Sequence, residues 1–179
     1  MGPARVALIG FMGCGKSTVG PILAGLLGWS FVDTDDLVVQ QAGTPIAEIF
    51  RLRGEPAFRK METQALAELT LRSDVVVATG GGAPLQPANR EFFTLQARTF
   101  HLRVSFAEVL ARTAGDTGRP LLAQGEPALQ RLFDARLPVY DSLGWAVETD
   151  GRSPREIAAE IRATLVRPRR WVGPGEGGG

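Results

Sequence analysis

Residues Gly10-Phe11-Met12-Gly13-Cys14-Gly15-Lys16-Ser17 spell a complete G-x-x-x-x-G-K-[ST] phosphate loop. Each residue type in it answers a need of a triphosphate. Glycines let the main chain curl until successive N–H groups point inward, and a helix that follows directs its positive dipole end at the same place. Lys16 brings a mobile charge for the β- and γ-phosphates, and Ser17 brings a hydroxyl ligand for magnesium. A flexible glycine-rich turn is the bland alternative, and the full match in its strand-to-helix context argues against it. Cys14 lies inside the loop beside Lys16 and the helix end, where its pKa could fall; a filler position is the simpler reading than a redox sensor.

Further along stand the other residues able to do chemistry. Asp33-Thr34-Asp35 follows an apolar run, and alternate residues of an extended chain point the same way. Two acids near a triphosphate repel each other without a cation, so a magnesium ion held partly by Asp33 and a substrate hydroxyl met by Asp35 make sense together. Helix capping by the same residues is the alternative. Arg59 and Glu62 are three apart on a helical pattern, which suits either a surface ion pair or a carboxylate that aligns a guanidinium fork for an acid. Gly80-Gly81-Gly82 loses backbone entropy, a loss explained by close approach of a ligand or moving loop, or by a simple turn. Arg119 lies in a glycine-rich loop that could fold over a transferring phosphate. Arg112 precedes it and either stacks on a flat base or is solvated. His101, within an apolar strand, reads as a packed histidine.

The elements that must position these residues alternate. Five short apolar runs read as strands: Arg5 to Ile9, Ser30 to Asp33, Val75 to Thr79, Thr99 to Arg103 and Trp145 to Glu148. Between them are helical patterns. Ser105-Phe106-Ala107-Glu108 and Ser153-Pro154-Arg155-Glu156 are capping boxes. Thr44-Pro45 and Glu55-Pro56 place proline at helix starts. Phe58, Met61, Ala65 and Leu69 recur with helical spacing, predicting an amphipathic helix that ends near Ser73. Gly20, Pro21 and Gly25 weaken the helix expected after the phosphate loop. The class implied is α/β, a five-stranded parallel sheet with helices on both faces and the ligand at the carboxyl ends of the strands.

With 179 residues, 44% of them hydrophobic and 22% charged, the chain suits one well-buried domain. Its net charge of +1 gives no global argument for nucleic acid or membranes. The single cysteine agrees with a reducing compartment. No apolar stretch approaches the roughly 20 residues of a bilayer span and the start lacks a signal-peptide pattern, so a cytoplasmic location is expected; separately, a monomer is expected. Residues 167–179, rich in arginine and glycine, read as a disordered tail.

Taken together, the motifs resemble those of the shikimate kinases: Gly-Phe-Met-Gly-Cys-Gly-Lys-Ser-Thr-Val-Gly at 10–20, Asp-Thr-Asp at 33–35, Gly-Glu-Pro-Ala-Phe-Arg-Lys-Met-Glu at 54–62, Gly-Gly-Gly at 80–82 and Arg-Pro-Leu-Leu at 119–122. The resemblance runs in order over about 150 residues, with proline at 56 as a small departure. It implies a P-loop, nucleoside-monophosphate-kinase-like domain at 1–166, with a substrate-binding insert near 33–62 and a lid near 112–124. It also implies transfer of the ATP γ-phosphoryl group to the 3-hydroxyl of shikimate, on the route to chorismate and the aromatic amino acids. On that footing Gly13, Cys14, Gly15, Lys16, Ser17 and Thr18 hold the nucleotide, with Arg112 and Pro154 flanking adenine and Arg119 closing from the lid. Ser17 and Asp33 hold Mg2+, Asp35 meets the reacting hydroxyl, and Arg59 and Arg136 grip the substrate carboxylate beside Gly80, Gly81 and Gly82. Lys16, Asp35 and Arg119 form the catalytic set. Gluconate kinase, which shares the core and a polyhydroxy acid substrate, is the alternative enzyme; a binding module that closes on ATP without transfer is the alternative of another class.

Overall fold

The strand β1 (Arg5–Ile9) is buried along its whole length, as an uninterrupted apolar run between two neighbours must be. In the computed structural model, which describes residues 4–114 and 125–166, β1 pairs in parallel with β3 (Val75–Ala78) on one side and β4 (Arg98–Arg103) on the other. β2 (Ser30–Asp33) and β5 (Trp145–Glu148) complete a five-stranded parallel sheet in the order β2-β3-β1-β4-β5. All five strands expected from the sequence form, with one-residue differences at the end of β3 and the start of β4.

Helices cover both faces. The helix α1 (Lys16–Leu27) runs unbroken through Gly20 and Pro21, against the expectation that these residues weaken it. Packing explains Gly20: a methyl group there would collide with the ring of Phe31. Phe31 lies level with Val76, and Val76 with Val6, so α1 covers the face that carries Val6. On that face α1 also packs against α6 (Pro154–Val166). The helix α5 (Glu126–Leu143) lies on the other side. Its Tyr140 ring centroid is 5.2 Å from that of His101, which is aligned with Ile9, one face over from Leu8.

Between β2 and β3 the chain forms α2 (Thr34–Ala42) and α3 (Ile46–Leu69), which enclose a small core of Val38, Ile49, Phe58 and Ala65. Gly54, at φ 76 and ψ 170, breaks the helical dihedrals within α3, so Pro56 sits in the first turn of a new stretch. The helix stops at Leu69 rather than near Ser73. Arg5, 5% exposed, donates from Nε to Leu69 O at 2.9 Å and also bonds Thr70 O, placing a cation on the terminal carbonyls. Of the two expected capping boxes only the second closes: Ser153 and Glu156 bond reciprocally at α6, whereas ahead of α4 (Phe106–Thr113) Ser105 Oγ accepts from Glu108 N but the Ser105 N–H goes to Asp150 and the Glu108 carboxylate to Arg112. The turn-rich stretch from 115 to 120, most of the expected lid, and the tail at 167–179 lie outside the described residues. Among the described residues no helix is long and apolar enough to cross a membrane.

Candidate active site

The loop between β1 and α1 has the backbone of an anion cradle. Gly13 (φ 76) and Gly15 (φ 98) occupy the left-handed region, where glycine alone is unstrained. Their conformations turn the loop onto the helix start, where unpaired N–H groups and the dipole favour an anion. Lys16 folds back over the loop, its Nζ donating to Gly10 O at 2.9 Å and Phe11 O at 3.0 Å and standing 3.3 Å from Cys14 Sγ. Cys14 itself is fully buried in the core, consistent with packing as its role.

Asp33 serves in two ways at once. Its Oδ1 caps α2 by accepting from Asp35 N at 3.0 Å, and its Oδ2 accepts from Ser17 Oγ at 2.8 Å. Capping and metal holding, alternatives in the sequence, are therefore compatible in one side chain. Ser17 and Asp33 present hard oxygen donors side by side at the cradle. Among the described residues no group of three or more His, Cys, Asp or Glu side chains could hold a metal alone. The two oxygen donors, Ser17 Oγ and Asp33 Oδ2, are of the hard kind a divalent cation takes alongside water and phosphate oxygens.

The glycine triplet after β3 lies at the centre of the second half of the site. A methyl group on Gly80 would lie 2.6 Å from Glu62 Oε1 and 2.9 Å from Asp35 Oδ1. On Gly82 it would meet the Arg59 guanidinium, with Cζ 2.5 Å away. On Gly81 it would touch Arg136 Nη1 and the Tyr140 hydroxyl at 3.4 Å and Gly10 O at 3.5 Å. The missing side chains at Gly80 and Gly82 are what allow two acids and the Arg59 guanidinium to close on this segment, while Arg136 reaches Gly81 at an ordinary contact distance, so close approach, and not only turning, explains the triplet. Gly10 O is also the carbonyl that holds Lys16. The cradle and the charged cluster thus adjoin.

Electrostatics reflect that proximity. Burial and the Asp33 charge hold Asp35 above the usual carboxylate range, opposed by Lys16 and Arg59. Glu62, with no exposed surface, is pushed up to about 7 chiefly by burial, although Arg59 Nη1 donates to its Oε2 at 3.0 Å and pulls the other way. Among the described residues Asp35 Oδ1 and Glu62 Oε1 are buried without a hydrogen-bond partner, and so is Arg136 Nε. Unpaired buried polar atoms are expensive unless a ligand completes them.

A profile of the family described as shikimate kinase matches residues 12–166. The chain belongs to the shikimate kinase family. A shikimate kinase of Psychrobacter sp. (strain PRwf-1) is 45% identical over 161 residues, covering 88% of this chain and 89% of that protein. Among solved structures, shikimate kinase from Acinetobacter baumannii in complex with shikimate superposes with TM-score 0.85 at 39% identity, over 91% of this chain and 93% of that one. A gluconokinase from Sinorhizobium meliloti 1021 aligns with TM-score 0.55 at 21% identity, over 92% of each chain, a likeness of fold alone.

For a shikimate kinase family member the remaining candidates fall as follows. Arg112 is not a freely solvated helix arginine: it donates to Gly13 O at 3.1 Å and Thr149 O at 3.2 Å, bracing the cradle against the loop after β5. That loop leads to Pro154 at the start of α6. Arg119 lies outside the described residues. His101 is packed as expected, with Nδ1 2.9 Å from Asp141 Oδ1. Three neighbours of the site were not legible as such. Tyr140 donates to Gly81 O at 2.6 Å, Thr34 Oγ1 accepts from Gly80 N at 3.2 Å, and Phe11 lies under Arg136 with 5.7 Å from Cζ to the ring centroid. The signals on offer were the Arg136 to Tyr140 spacing of one helical turn and the places of Phe11 in the phosphate loop and Thr34 in the acidic triplet.

Proposed function

We propose that this chain carries out the reaction of its family at the site described: it transfers the γ-phosphoryl group of ATP to the 3-hydroxyl of shikimate, giving shikimate 3-phosphate and ADP for aromatic amino acid biosynthesis. The observation that carries the reading is the convergence of Asp35, Glu62, Arg59 and Arg136 on Gly80 to Gly82, next to the Gly10 carbonyl that holds Lys16. A phosphoryl acceptor held by the cluster and a triphosphate held by the cradle would face each other. Phosphoryl transfer asks little covalent chemistry of a protein, mostly alignment and concentrated positive charge.

In this reading Arg59 and Arg136 grip the substrate carboxylate, and Glu62 fixes the Arg59 fork by its buried bond. Asp35 meets the reacting hydroxyl; a carboxyl held above its usual range is the better proton acceptor. Lys16 leaves the loop carbonyls for the phosphate oxygens, Gly13 to Thr18 cradle the phosphates, and Arg112 and Pro154 border the base. Arg119 adds charge from the lid. Ser17 and Asp33 would hold Mg2+, directly or through water, and the ion when bound neutralises phosphate charge. A monomer in the cytoplasm completes the proposal.

A coupled ADP-release assay with ATP, magnesium, shikimate and gluconate tests it. Turnover with shikimate is expected; turnover with gluconate alone would move the assignment to the other acid, and ATP binding without turnover on either would leave a binding module.

A further inference from the structure

Arg59 is already gripped by a carboxylate where the substrate's carboxylate is to bind. Its Nη1 is taken by the buried Glu62, but Nε and Nη2 both donate to Glu55 Oε1, at 3.1 and 2.9 Å. The two acids differ in kind. Glu62 has no exposed surface, whereas the Glu55 side chain is 62% exposed. Glu55 follows Gly54, whose φ of 76 interrupts α3, so its backbone stands at a break and not within a continuous helix. Beside it opens a groove of about 610 Å³ lined in part by Glu55, Arg59, Lys60 and Gln86. The Gly82 backbone also lies directly against the guanidinium.

The Nε and Nη2 edge of a guanidinium is a fork that can receive a carboxylate in two places, and with Nη1 taken by Glu62 it is the edge left for a second acid. We propose that Glu55 is a built-in competitor for that edge: it holds Arg59 oriented in the empty site and is displaced by the substrate's carboxylate on entry. An exposed ion pair is weak enough to be exchanged, while the buried Glu62 stays and keeps the fork aimed. The weakness of the Glu55 pair sets how much binding is lost to the exchange, and an acid without the substrate's other contacts gains little from making it. This inference rests on the reading that Arg59 binds the carboxylate of shikimate.

The test is the KM for shikimate at saturating ATP in the wild type, Glu55→Gln, Arg59→Lys and the double variant. Glu55→Gln is expected to lower KM about two- to fivefold, the range of an exposed pair, with kcat changed far less. In the Arg59→Lys background, where KM is already raised, the same substitution should have no such effect. A KM that is unchanged or raised by Glu55→Gln, while Arg59→Lys still weakens binding, overturns the competitor and leaves Arg59 at the carboxylate. If Arg59→Lys leaves KM unchanged, the reading beneath it fails as well.

Discussion

Arg59 and Glu62 are joined by a bond of 3.0 Å in which the arginine is 19% exposed and the glutamate not at all. Three residues apart on one helix, they could have been an ordinary surface pair. Burial changes their meaning, because a carboxylate withdrawn from water needs its cation, and the cation is thereby fixed in orientation. The fixed guanidinium lies directly against the Gly82 backbone, where a side chain would collide with it.

A pH dependence follows from Glu62. Its folded pKa of about 7 lies above the ordinary 4.5 because burial disfavours the charge. The folded state therefore holds the proton more tightly than the unfolded chain, and the stability this lends is complete below about 4.5 and lost as pH rises through about 7. Denaturant midpoints of the wild type should fall more between pH 5 and pH 8 than those of Glu62→Gln. Parallel curves for the two proteins would show that Glu62 does not titrate in this window.

Lys16 and Asp35 occupy the two sides of the proposed transfer. Lys16→Ala and Asp35→Asn should each reduce turnover by a factor on the order of a hundred or more, with the fold retained by circular dichroism. Steady-state rates near those of the wild type would remove either residue from its role.

At Gly82 a methyl group has nowhere to go but into the Arg59 guanidinium. Gly82→Ala should displace that group and raise the KM for shikimate by about tenfold, leaving the KM for ATP nearly unchanged. Equal effects on both substrates would point to general disruption of the sheet ends instead.

Two glycines of α1 separate packing from helix propensity. Gly20 lies against the Phe31 ring, whereas Gly25 has open space around it. Thermal or denaturant unfolding should show Gly20→Ala destabilised by about 1–3 kcal/mol and Gly25→Ala stabilised by roughly 0.5–1 kcal/mol. Similar changes at both sites would mean that Phe31 adjusts freely.

The phosphate loop, the five strands and the acids of the Asp33-Thr34-Asp35 triplet were legible because each is a local pattern: periodicity, turn chemistry and a motif of fixed spacing. The end of α3 was not, since it depends on Arg5, more than sixty residues earlier, reaching the carbonyls of Leu69 and Thr70. The role of Glu62 was visible as an option but not decided, for nothing in a three-residue spacing says whether the pair is buried. Phe11 and Thr34 lie within motifs that were legible, and Tyr140 one turn from Arg136, but their contacts arise only where the sheet brings Gly80, Gly81 and Arg136 to them. Arg112 was placed near the nucleotide by family resemblance, yet its bonds to Gly13 and Thr149 follow from the packing of α4 and could not be read from composition or spacing.

Whether the cradle and the charged cluster act on a single transferring group is decided by phosphorus NMR of the products formed from ATP, magnesium and shikimate. The expected spectrum shows one phosphomonoester on the 3-hydroxyl appearing in step with ADP. ADP accompanied by inorganic phosphate alone, or no nucleotide turnover with shikimate at all, would contradict it.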